Sequence, residues 1–127
     1  MMKRAWRVLL VVALVSCGES FDSGLMKARA NDASVEGKAY AGPLGERLGP
    51  DLQSAMQRCF PSAQSALVTD FAIVFAVRGD GTPAQRMARP ETPATKCVLD
   101  GIAGVRLPTP PRPDWWVVIE MKTTPEP

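Results

Sequence analysis

The 127-residue chain has no histidine, one tyrosine and no long apolar run. The missing histidine removes the commonest general base and the commonest zinc ligand, and leaves no Cys-His or Ser-His pair to build. Carboxylates could still act alone. However, Asp51, Asp70, Asp80, Asp100 and Asp114 each lie beside a turn or a helix end, where capping explains an aspartate better than acid–base work does. Gly79-Asp80-Gly81 lacks the spaced oxygen ligands of a calcium loop. The expectation is a protein that is not an enzyme and carries no cofactor and no metal. The longest apolar run, Val8 to Val15, covers roughly 12 Å as a helix against a hydrocarbon core of about 30 Å, so it is too short to cross a membrane.

That short run has another reading. Lys3, Arg4 and Arg7 form a cationic segment before it, and Leu14-Val15-Ser16-Cys17 closes it with a small residue ahead of a cysteine. The arrangement resembles a bacterial lipobox, with residues 1–16 as a signal peptide and Cys17 as the lipidated first residue of the mature chain. Ordinary signal-peptidase cleavage and a retained anchor are the alternatives. Gly18 stands where an aspartate would signal inner-membrane retention in enterobacteria, which favours the outer membrane, facing the periplasm.

Removal of residues 1–16 takes three cations with it, leaving 12 Lys and Arg against 13 Asp and Glu, a net charge of −1 where the whole chain has +2. A nucleic-acid binder needs a surplus of cations gathered on one face, and the mature chain has neither surplus nor run. The 111 residues left of 127 suffice for one domain with one core. There are no internal repeats.

Residues 17–44 are dominated by small and polar side chains, with Phe21, Leu25, Met26, Val35 and Tyr40 too scattered for a sustained period. They read as a flexible tether whose reach of roughly 25–30 Å would hold the domain clear of the headgroups. Residues 45–122 read as the folded module and 123–127 as a disordered tail. Gly49-Pro50-Asp51 marks a helix start, and Leu52, Ala55, Met56 and Cys59 recur at helical spacing, predicting a helix from Pro50 to Phe60. Thr69 to Val77 alternates bulky and smaller apolar residues as a strand does. Arg78-Gly79-Asp80-Gly81-Thr82 is a hairpin turn, and Pro83 to Arg89 a returning strand whose arginines, Arg86 included, and bounding prolines mark it as an edge. Thr92-Pro93 starts a second helix that stops near Gly104. Leu107 to Pro113 is an extended connection, and Trp115 to Met121 a final strand. The fold class is therefore α+β, helix-strand-strand-helix-strand, with a small antiparallel three-stranded sheet and two helices packed on one face.

Each predicted helix carries one cysteine on its apolar stripe, Cys59 and Cys97. In an oxidising envelope compartment such a pair is expected to form a disulfide, with two buried free thiols as the alternative.

The succession Arg58-Cys59-Phe60, the strand Phe71 to Val77 before Gly79-Asp80-Gly81, Lys96-Cys97-Val98, then Leu107-Pro108 and Pro110-Pro111 before the strand Trp115 to Met121, resembles a known family. It is similar to the C-terminal domain of myxobacterial gliding-motility proteins of the AgmX/PglI type, which is related to the C-terminal modules of TonB and TolA. The resemblance covers roughly Leu48 to Lys122. Leu107 stands where the family often has an aromatic, and Ala88-Arg89-Pro90 replaces its usual small polar run. The fold carries over as an expectation; a motility role does not.

Two functions are expected from these features. The first is a lipid-anchored module that binds another envelope protein by sheet-edge addition; the second is a structural envelope lipoprotein without a dedicated peptide partner. If Trp115 faces the core with Val117, Ile119 and Met121, then Trp116 falls on the opposite face beside Val118, with no third helix to cover it. Trp116, Val118 and Arg86 are accordingly the expected partner-binding residues, and a tether folded back over that face is the alternative.

Overall fold

The computed structural model describes residues 18–60 and 70–122. The signal segment, Cys17, the first residue of the predicted first strand (Thr69) and the expected tail at 123–127 lie outside the described residues. In chain order the elements are α1 (Phe21–Ala33), α2 (Val35–Cys59), β1 (Phe71–Val77), β2 (Pro83–Arg89), α3 (Pro93–Gly101) and β3 (Trp115–Met121). The sheet is antiparallel in the order β2-β1-β3, so β1 is central and both other strands are edges. The α+β class and the antiparallel sheet are as expected, and β2 and β3 have the expected bounds.

The stretch read as a flexible tether is instead helical. Two serines start its helices: the Ser20 hydroxyl accepts from the Ser23 amide and the Ser34 hydroxyl from the Gly37 amide, each satisfying an orphan donor of a first turn. The corner between the two helices is tight. A Cβ on Gly37 would fall within 1.8 Å of the Asn31 carbonyl oxygen, so only glycine fits there.

The helix predicted from Pro50 is the C-terminal part, Pro50 to Cys59, of α2, which begins at Val35 and runs through both Pro43 and Pro50. Each proline leaves one carbonyl four residues earlier without its helical donor, at Ala39 and Glu46, and both of these residues are exposed. Tyr40, Leu44 and Leu48, spaced four apart, are buried, and that packing outweighs the cost of the breaks.

The sheet has a helical layer on each face. On one side α2 and α3 pack over Phe71, Ile73, Phe75, Val77, Trp115 and Val117, with Val98 and Ile102 fully buried between helix and sheet. On the other side α1 lies over Val74, Ala76 and Trp116. The expectation of two helices on one face therefore holds for α2 and α3, and α1 is a third helix on the face expected to be open. The α3 start is a capping box: Thr92 and Thr95 exchange side-chain and backbone bonds, with Pro93 in the first turn. The helix ends at Gly101, slightly before the expected stop at Gly104.

The Cys59 and Cys97 side chains are joined in a disulfide with a Cα–Cα distance of 5.8 Å, tying α2 to α3 as expected. The proline-rich approach to β3 is extended and strapped to α2. Tyr40 donates its hydroxyl to the Pro108 carbonyl at 2.7 Å, and Arg47 donates to the Arg106 carbonyl at 2.6 Å.

Candidate functional site

Trp115 and Trp116 do occupy opposite faces, but both are buried, at 3% and 4% exposure. Trp115 stacks edge-on against Tyr40 at 6.3 Å between ring centroids, with the Arg112 guanidinium 4.8 Å over its ring. Burial holds the Tyr40 hydroxyl un-ionised well beyond its usual range, its pKa pushed up to about 12. Trp116 lies against Gly24 of α1, so closely that a Cβ there would come within 2.6 Å of the indole. Opposite Trp116 in the sheet is Ala76, whose small side chain leaves room for the indole under the helix. The expectation of Trp116 as a free binding surface is thus corrected: it is the packing platform for α1. Val118 is half-buried under the same helix.

Around this apolar contact α1 is held by polar links to both sheet edges. The Asn31 amide donates to the Trp116 carbonyl at 3.0 Å, and Arg29 pairs with Glu120 of β3 at 3.0 Å. At the other edge Arg89 of β2 pairs with Asp22 at 2.8 Å and lies 4.3 Å over the Phe21 ring.

Arg86 lies on the opposite edge of the sheet from Trp116 and Val118, so the three expected binding residues do not form one surface. The register between β1 and β2 shifts between Val74 and Ala76, and Gln85 takes a positive φ of 53°, the mark of a bulge. Arg86 sits in that bulge and folds back on its own strand, donating from Nη1 to the Pro83 carbonyl at 3.1 Å, while its buried Nε has no partner. A bulge bounded by prolines blunts this edge against an added strand.

The β3 edge is different. The described residues place no strand beyond it, and a groove of about 360 Å³ runs between it and α2. One wall is Tyr40, Leu44 and Leu48, the other Trp115, Val117 and Ile119, and the α1–α2 corner closes one end with Asp32 and Lys38. Partial desolvation raises the Asp32 pKa, with Arg29 opposing it. Ala41 and Gly45 line the outer lip, and a side chain at Gly45 would project into open space. A wider depression of about 570 Å³ beside the disulfide is bordered by Arg58, Lys96 and Asp100, charges of both signs. Among the described residues no three Cys, Asp or Glu side chains gather as a metal site would require.

Sequence reasoning missed this groove because it missed the first half of α2. The signal was present in Ser34 followed by Glu36, a capping residue and a first-turn acid, and in the four-residue spacing of Tyr40, Leu44 and Leu48. Comparison with known proteins adds nothing to the geometry: no family model matches the chain, and neither a curated protein nor a solved structure is significantly similar to it.

Proposed function

We propose that this chain is a lipid-anchored module of the bacterial cell envelope that holds an extended segment of another envelope protein along the β3 edge. The observation that carries this reading is the conjunction of an edge strand with a preformed apolar groove alongside it. A strand edge offers unpaired backbone donors and acceptors that give affinity to any extended chain, and side pockets give it preference. The α1–α2 corner occupies the edge at the Trp116 carbonyl through Asn31, so the segment pairs with β3 beyond that residue and sets an apolar side chain between Leu44 and Leu48. The Cys17 lipid keeps the module at the membrane, and the Cys59–Cys97 disulfide suits an oxidising compartment. The TonB/TolA-like resemblance is in keeping with a domain that works by gripping a partner.

The test uses the full lipoprotein in its native membrane, with a photoreactive residue in place of Ala41. The reading expects crosslinks to one extended peptide of a single envelope protein, lost in Gly45→Glu while the melting temperature is unchanged. Crosslinks that persist in Gly45→Glu, or none at all from position 41, would return the protein to the class of structural lipoproteins without a peptide partner.

A further inference from the structure

The helical state of residues 21–59 removes the spacer that a flexible leader would have supplied, and what remains between the anchor and the fold is very short. Glu19 is held at three points. Its amide donates to the Gln85 side chain at 3.2 Å, and its carboxylate accepts from the Ser23 hydroxyl and from Lys27 at 2.8 Å. These bonds favour the ionised carboxylate and lower its pKa, Lys27 most, then Ser23. Ser20 is fixed next to it as the α1 cap. Between Cys17 and the pinned Glu19 only Gly18 is free, and two peptide steps span at most about 7 Å.

An acylated Cys17 lies in the membrane interface, whose headgroup layer is roughly 5–7 Å deep on each side of the hydrocarbon. Glu19 and its partner Gln85 are then at headgroup level. Gln85 is the bulged residue of β2, so the strand that meets the bilayer is fixed by the fold. We infer that the anchored domain sits directly on the membrane with its β2 edge against the lipid headgroups. This rests on the reading of Cys17 as the lipid site.

The cations beside that contact are compensated, Arg89 by Asp22 and Lys27 by Glu19, so the short link from Cys17 to Glu19, rather than charge, sets the placement. The same orientation turns β3, two strand spacings of about 4.8 Å away, toward the aqueous side. A partner that reaches β3 therefore does so close to the bilayer, which suits a membrane-embedded or lipid-anchored protein.

The experiment uses full-length acylated protein in vesicles of its native lipids, with benzoylphenylalanine replacing Gln85, or Asp22 as a second position, and Glu46 on α2 as the comparison. Phospholipid adducts are expected from positions 85 and 22 and not from 46. A flexible Gly-Ser insert of about 12 residues between Cys17 and Gly18, reaching roughly 20 Å, is expected to reduce the adducts to the Glu46 level while the protein stays in the membrane fraction. Acylated protein that labels equally from all positions, or adducts indifferent to the insert, would overturn the orientation while leaving the anchor intact. An intact mass without acyl groups would overturn the anchor and the orientation with it.

Discussion

The two faces of the sheet are covered by helices of opposite character. Over one face α2 and α3 bury Tyr40, Leu44, Leu48, Val98 and Leu99, and a disulfide clamps the two helices together. Over the other α1 buries of its own residues only Gly24 and Ala28, set against Trp116, with Phe21 and Leu25 half-covered, and its remaining ties are exposed ion pairs, the Arg89 guanidinium over Phe21 and one amide bond. A fully buried large apolar side chain contributes about 1.5–3 kcal/mol, whereas an exposed ion pair contributes roughly 0–1 kcal/mol. One sheet thus has a clamped face and a more lightly held one, where the helix contributes small residues and the large apolar surface it covers belongs to the sheet, at Trp116.

The largest expected effect lies on the clamped face. Phe75→Ala removes a ring that is fully buried and should cost about 3–5 kcal/mol in chemical denaturation, unfolding both faces together. Reduction of the disulfide, which closes a separation of 38 residues, should cost about 2–4 kcal/mol, read as a lowered denaturation midpoint in reductant. A midpoint unchanged by reductant would mean that the α2–α3 packing holds without its clamp.

Gly24→Val tests the lightly held face. The new side chain meets the Trp116 ring, and the overpacking should cost about 1–3 kcal/mol, confined to α1. Hydrogen exchange should quicken across residues 21–33 while β1 keeps its protection. Equal quickening in both would show that the two faces unfold as one unit and would break the comparison. Thr92→Ala removes one half of the α3 capping box and should cost about 1 kcal/mol, lowering the thermal midpoint slightly.

The smallest effect is invisible at neutral pH. Tyr40 is the only tyrosine, so phenolate absorbance in the folded chain should titrate at about 12, above the ordinary tyrosine value of about 10. Because the folded state keeps the proton that the unfolded state loses, stability from this group is complete below pH 10 and falls as the pH rises toward 12. A midpoint near 10 would mean that the strap from Pro108 over α2 is open in solution.

What could be read from the sequence depended on periodicity. Alternation located β3 to the residue and assigned Trp115 and Trp116 to opposite faces, because a period of two leaves no freedom about which side chain points where, while β2 was placed by the turn before it and its bounding prolines. Composition misled where periodicity was weak. The α1 contact is made by Gly24 and Ala28, residues with almost no hydrophobic signal, so the stretch reads as a linker although it packs on an indole. In α2, Pro43 and Pro50 are helix breakers by local rules, and only tertiary burial of Tyr40, Leu44 and Leu48 outvotes them. The groove inherits this error, since one of its walls is the half of α2 that local rules deny. Arg86 was legible as an edge residue, but the bulge that folds it onto its own strand depends on a register shift that the alternation does not reveal.

The bond from Asn31 to the Trp116 carbonyl spans 85 residues, and the Arg29–Glu120 pair spans 91. A polypeptide is made from its amino end, so α1 emerges first and its docking strand last. Until β3 is complete the first helix lacks the indole it packs on and has only Val74, Ala76 and Met87 of the other two strands beneath it. A chain cut short anywhere before Trp115 would leave α1 half-seated and β1 without one of its two neighbours, so the last few residues to arrive decide how firmly the first ones are held.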